Sequence, residues 1–144
     1  TLATAESCTG GNISAKITSV PGSSQVFVGG TTAYSNYVKT KHTGVANNLI
    51  EQHGAVSREV VEAMAKGTLK TFDSDYSIAV SGIAGPTGGT DEKPVGTVWI
   101  AAADKNYIFA KKYLFGKRRD INIQRASAKA LDMLRKFILD FYEK

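Results

Sequence analysis

Strand-like and helix-like segments alternate along this 144-residue chain, and that alternation limits the fold more tightly than any other feature. Thr1 to Glu6 is a run of small and apolar residues, read as a short interior strand. Gly10 to Val20 reads as a helix that Pro21-Gly22-Ser23 ends. Gln25 to Ser35, β-branched and interrupted by glycine, gives a second strand. Asn36 to Val45 and Asn47 to Gln52 are short helical pieces. Ser57 caps a longer helix reaching about Phe72, whose Val60, Val61, Met64 and Leu69 form an apolar stripe. Tyr76 to Val80 is a buried strand that opens into SGIAGPTGGTDEKP, a loop by composition. Val95 to Ala103 and Tyr107 to Phe115 follow as strands joined by Asp104-Lys105-Asn106, a connection short enough for an antiparallel hairpin. A last helix runs from about Arg119 to Tyr142, with Ile123, Ala126, Ala130, Leu134, Phe137 and Phe141 at helical spacing. This order predicts a three-layer α/β/α sandwich around a largely parallel sheet with one antiparallel strand.

A chain of this length is the size of one domain and buries a core without covalent staples. With 42% hydrophobic and 22% charged residues, it has the make-up of a soluble globular protein. No apolar run approaches the roughly 18 residues of a membrane span, and TLATAES lacks the basic start and apolar stretch of a signal peptide. One cysteine, Cys8, excludes an internal disulfide and a cysteine-based zinc cage. A cytoplasmic protein without a membrane partner is expected. The formal charge of +5 permits an anionic partner. Its excess gathers from Lys117 to Lys144, where eight Lys/Arg face four Asp/Glu. A solvated helix face explains this better than a nucleic-acid stripe, because no aromatics interleave with the basic residues at RNA-binding spacing. Nucleic acid is therefore not the expected partner; a phosphate-bearing small molecule is served equally well.

Ligands of such sheets gather at the carboxyl ends of parallel strands. Three segments lie there: AESCTGG at 5–11, TTAYSNYVK at 31–39 and SGIAGPTGG at 81–89. The first sets two nucleophiles, Ser7 and Cys8, just before two glycines and a helix start. The N–H groups of Thr9, Gly10 and Gly11 would face a phosphate or the oxyanion of acyl transfer, with the helix dipole favouring negative charge. A tight strand-to-helix turn that only needs glycine explains the same residues. Neither a complete P-loop nor a GxGxxG follows the first strand, and the GxxG of the third segment alone is weak evidence for a nucleotide.

A serine hydroxyl needs a base. His42 and His53 fall in surface helices without an acidic partner at useful spacing. A lysine serves instead when burial lowers its pKa. Tyr34 and Lys39, five residues apart across a strand-to-helix turn, could both face the Ser7 turn. Glu6 has no histidine beside it and is read as hydrogen-bonding the turn. No His, Cys and carboxylate cluster has ligand spacing, so neither a metal nor any other cofactor is expected.

AESCTGG, AYSNYVK with the following TGV, SGIAGPTGG, KPVGTVWIA and the Arg119/Arg125 helix start together make the sequence resemble the CinA C-terminal family over essentially its whole length. The biochemically defined members of that family are nicotinamide-nucleotide amidohydrolases. The resemblance implies deamidation of nicotinamide mononucleotide to nicotinate mononucleotide and ammonia, within pyridine-nucleotide recycling, by a homo-oligomer. It makes Ser7 the nucleophile, Lys39 the base and Tyr34 its hydroxyl partner, with Cys8 a neighbour. Substrate contacts are expected from Thr9, Gly10, Gly11 and Asn36. More are expected from Ser81, Gly82, Ala84, Gly85, Pro86 and Gly88 in the third segment, and from Arg119. Phosphate would fall to the Gly85–Gly89 amides and Arg119. Lys117 stands where the family's FxGxR has glycine, which leaves Arg118 and Arg119 as alternatives for the motif arginine. The family has a helix before the first strand that this chain is expected to lack, and nothing here matches the N-terminal domain of the larger members. Two other readings compete: a nucleotide-binding domain without turnover, and a competence or DNA-damage partner protein suggested by the basic last helix.

Overall fold

A computed structural model describes residues 1–139. Five strands form one sheet in the order β2-β1-β3-β4-β5: β1 (Leu2–Glu6), β2 (Phe27–Thr32), β3 (Tyr76–Gly82), β4 (Thr97–Ala103) and β5 (Ile108–Leu114). β1 runs parallel to both β2 and β3, with Ala5 opposite Thr31 on one side and Ala79 on the other. β4 is antiparallel to β3 and to β5, so it alone opposes the common strand direction. The expected sandwich is what the chain forms.

The two faces of the sheet carry different side chains, and that difference sets the layers. On β3 and β4, Ile78, Val80, Val98 and Ile100 point to one face, where they meet α1 (Asn12–Thr18) and α5 (Arg119–Ile138) through Ile13, Ala130, Met133 and Phe137. The opposite face is lined by Ala5, Ala79, Ala101 and Ala103. Alanine on the sheet lets α4 (Arg58–Phe72) lie close, packing Val60, Val61, Met64 and Ala65. α2 (Asn36–Thr43) and α3 (Asn47–His53) complete that layer. α2 and α4 touch at Gly67, where an added Cβ would run into the Thr43 carbonyl.

Element ends depart from expectation for local reasons. α1 begins at Asn12 rather than Gly10, because Gly10 (φ 60°) and Gly11 (φ 98°) are left-handed and cannot be helical. Ser23–Gln25 forms a 3-10 turn, so β2 starts at Phe27. Gly44 ends α2 in a left-handed cap, which leaves Val45 outside the helix and buried. The expected last turn of α5, with Phe141 and Tyr142, lies outside the described residues. Among the described residues, no helix is long and apolar enough to cross a membrane.

Candidate active site

β1 and β3, the two central parallel strands, end side by side, and the Ser7 N–H donates to the Val80 carbonyl at 2.9 Å. This bond continues the strand pairing by one residue and fixes where the Ser7 side chain stands. Ser7 and Cys8 both border a cavity of about 270 Å³. Cys8 is at the same time part of the core cluster with Ile13, Val98 and Ala84. Burial pushes the Cys8 thiol up to about 12, so it stays protonated at neutral pH.

Lys39 comes from α2, whose first turn is capped by Ser35 through the Val38 N–H. Its side chain is 2% exposed and is the largest fully buried one among the described residues. Nζ lies 3.0 Å from Ser7 Oγ, 2.8 Å from the Ala33 carbonyl and 3.1 Å from the Tyr34 carbonyl. Among the described residues, no carboxylate makes an ion pair with it. Burial lowers its pKa below the ordinary lysine value. As an ammonium, Nζ donates to all three oxygens. Once it loses a proton, the two carbonyls would take its two remaining N–H groups and its lone pair would face the serine hydroxyl.

Tyr34 meets Lys39 through its backbone carbonyl and not through its hydroxyl. The hydroxyl accepts from Arg119 Nη2 at 3.0 Å, while Arg119 Nη1 donates to the Gly85 carbonyl at 2.9 Å. One guanidinium thus spans the mouth of the cavity from the β3 loop to the β2–α2 loop. Arg118 instead pairs with Asp120 on the surface, and of the two arginines it is Arg119 that lines the cavity.

Of the residues singled out in the sequence, Asn36, Ser81, Gly82, Ala84, Gly85, Gly88 and Arg119 line the cavity with Ser7, Cys8, Tyr34 and Lys39. Thr9, Gly10, Gly11 and Pro86 do not line it. The expected anion site at the start of α1 is already filled. Glu6, 1% exposed, accepts from the N–H groups of Ile13 (2.9 Å) and Ser14 (2.8 Å) and from Ser14 Oγ (2.8 Å). The helix dipole is satisfied by the chain's own carboxylate, and the Gly10 N–H is spent on the Ser7 carbonyl. Sequence reasoning missed Ala55 and Val56, just ahead of α4, whose wall is tied to β3 by Ser81 Oγ donating to the Ala55 carbonyl. Nothing in their residue types marks them. A larger cavity, about 490 Å³, opens at the opposite end of the sheet between α4 and the β4–β5 hairpin. Lys66, Lys70 and Lys105 there face Asp73 and Asp104, without a nucleophile activated by a buried base.

The fold and this site define an α/β/α domain with a buried serine–lysine pair at the carboxyl edge of its sheet. The chain belongs to the CinA C-terminal domain family, which it matches over residues 1–138. It is 52% identical over 136 residues to a CinA-like protein of Thermosipho melanesiensis, covering 93% of this chain and 34% of that protein. A CinA-like protein of Parasynechococcus marenigrum is 52% identical over 141 residues, with 96% and 34% covered. The chain thus spans about a third of the length of these curated relatives. Among solved structures, the competence/damage inducible protein CihA of Agrobacterium tumefaciens superposes with a TM-score of 0.91 at 38% identity, covering 92% of this chain and 82% of that one. The competence damage-inducible protein A of Klebsiella pneumoniae gives 0.93 at 33% identity, covering 98% and 88%.

Proposed function

We propose that this chain is an amidohydrolase that deamidates nicotinamide mononucleotide. The observation that carries the reading is Lys39, buried without a counter-charge among the described residues, with Nζ 3.0 Å from Ser7 Oγ. Burying an amine this way costs stability, and base catalysis is what the arrangement supplies in return. Ser7 Oγ attacks the carboxamide carbon as its proton passes to Lys39 Nζ. The tetrahedral intermediate collapses when Nζ returns that proton to the amide nitrogen, which leaves as ammonia. The ester left on Ser7 is then attacked by water, whose proton goes to Nζ. Ser7 Oγ takes it back as the acid departs, its remaining proton passing to solvent to leave the nicotinate carboxylate.

The charge of the cavity supports an anionic substrate. Arg119 stands at its mouth, and no Asp or Glu among the described residues lines it. With the α1 N-terminus closed by Glu6, Arg119 is the better candidate for the phosphate than any helix-start amide. The competence wording in the relatives' names describes those proteins. Here the basic helix is partly neutralised along its own face, where Asp132 holds both Arg135 and Lys136. Salt-dependent DNA binding would revive that alternative.

The deciding experiment measures ammonia and nicotinate mononucleotide released from nicotinamide mononucleotide by the wild type and by Ser7→Ala. Turnover that falls by at least about 10³-fold in the folded variant is expected. No ammonia from the wild type, or equal turnover in Ser7→Ala, would overturn the reading.

A further inference from the structure

A polar side chain is sealed inside the first turn of α5, one turn beyond Arg119. Asn122 is 1% exposed. Its Nδ2 donates to the Ala84 carbonyl at 2.9 Å and to the Gly116 carbonyl at 2.8 Å. Its Oδ1 is buried and has no hydrogen-bond partner. An orphaned buried acceptor is a cost that a stabilising residue would not carry, so the amide is explained by where it puts its two donors.

Those donors join the parts that hold Arg119. Ala84 precedes Gly85, whose carbonyl accepts from Arg119 Nη1. Gly116 lies in the β5–α5 connection, three residues ahead of Arg119. One amide therefore ties the cavity wall, and the chain leading into the helix, to the turn that carries the guanidinium. The wall has little stiffness of its own here, since Gly85 and Gly88 both sit at positive φ. Ser7 and Lys39 are held separately, by the carbonyls of Val80, Ala33 and Tyr34.

We propose that Asn122 is a positioning residue: it sets where the Arg119 guanidinium stands against the 83–89 loop, and so controls affinity for the phosphate end of the substrate without acting on the Ser7–Lys39 pair. The inference rests on the deamidase reading, because that reading places a phosphate at Arg119.

The test uses Asn122→Ala, with Asn122→Ser as a milder variant that keeps one donor. Three quantities are measured: ammonia release from nicotinamide mononucleotide, calorimetric binding of that nucleotide in a Ser7→Ala background, and hydrolysis of p-nitrophenyl acetate, an ester without phosphate. In Asn122→Ala, KM and Kd should both rise by at least about tenfold, with Asn122→Ser between it and the wild type. Ester hydrolysis and kcat should stay within about threefold of wild type. Unchanged KM and Kd in a folded variant would overturn the proposal. So would ester hydrolysis that falls in step with deamidation, the mark of a merely structural role. If the alanine variant does not fold, the serine variant is judged by the same criteria. A wild type that binds the nucleotide yet releases no ammonia sinks the deamidase reading, and the binding arm still judges Asn122. A wild type that does not bind it overturns both.

Discussion

The turn around Glu6 and the pocket around Lys39 each bury an ionisable side chain almost completely, within one strand end of each other. Glu6 is surrounded by donors: two helix N–H groups and a hydroxyl, at the positive end of α1. Lys39 has two carbonyls and a serine, and no carboxylate. The first environment matches the charged form of its group. The second favours the neutral form. A buried charge that is compensated holds structure together; one left uncompensated is held ready to give or take a proton. The contrast predicts that changes at Lys39 act on rate and changes at Glu6 act on stability.

The largest effect should come from Lys39→Arg. A guanidinium keeps the charge but does not release its proton at these pH values, so it cannot accept one from Ser7. Turnover should fall by about 10²- to 10⁴-fold with the fold intact by circular dichroism. If Lys39→Arg keeps substantial kcat and mainly alters KM, the lysine is a clamp and the contrast with Glu6 disappears.

Glu6→Gln should do the reverse. The amide retains one acceptor but loses the charge that answers three donors and the helix dipole. A loss of about 1–3 kcal/mol in denaturant unfolding is expected, with activity per folded molecule little changed. A variant as stable as wild type but inactive would move Glu6 into the chemistry.

That division was only partly legible in the sequence. Period and turn residues give the strands, the helices and the layer order, because burial of alternating faces dictates them. They also bring the three loops to one sheet edge. Spacing cannot say that the Tyr34 hydroxyl is held by Arg119, 85 residues away, or that Ala55 and Val56 close the cavity wall. Those contacts depend on how α5 and α4 dock. The closure of the α1 N-terminus was half visible. Glu6 reads as a turn ligand, yet the same glycines invite an anion there, and only the three-dimensional bonding decides which carboxylate or phosphate takes the amides. Arg118 and Arg119 are indistinguishable by composition; the phase of α5 separates them.

The pH dependence sharpens the comparison by a smaller amount. Burial lowers the Lys39 pKa from its ordinary 10.5, so between the lowered value and 10.5 the unfolded chain holds a proton that the folded one has released. Stability rises with pH wherever the unfolded state binds more protons. The penalty of burying the lysine is thus fully present below the folded-state pKa and is relieved as pH rises toward 10.5. Unfolding of wild type and Lys39→Met should therefore converge with rising pH, the methionine variant being relatively favoured at low pH. Rate should follow the same ionisation, with kcat/KM rising through the lowered pKa. A stability difference that is flat with pH would mean that Lys39 titrates as an ordinary surface lysine.

The smallest effect is expected at Cys8, which borders the cavity beside Ser7 but, unlike Ser7, makes no hydrogen bond to Lys39 Nζ among the described residues. Its Sγ packs into the core near Val98 and Gly82, where a Cβ built on Gly82 would come within 3.0 Å of the sulfur. A thiol pushed up to about 12 by burial carries almost no thiolate at neutral pH. Cys8→Ala should keep most of the deamidation, lowering stability by about 1 kcal/mol for the small void it leaves. The native protein should also resist iodoacetamide at pH 8, becoming modified only as it unfolds. Rapid alkylation of the folded chain with parallel loss of activity would show that the thiol is reactive in the native site. The two neighbours would then have to exchange roles, with Lys39 serving a sulfur and not an oxygen.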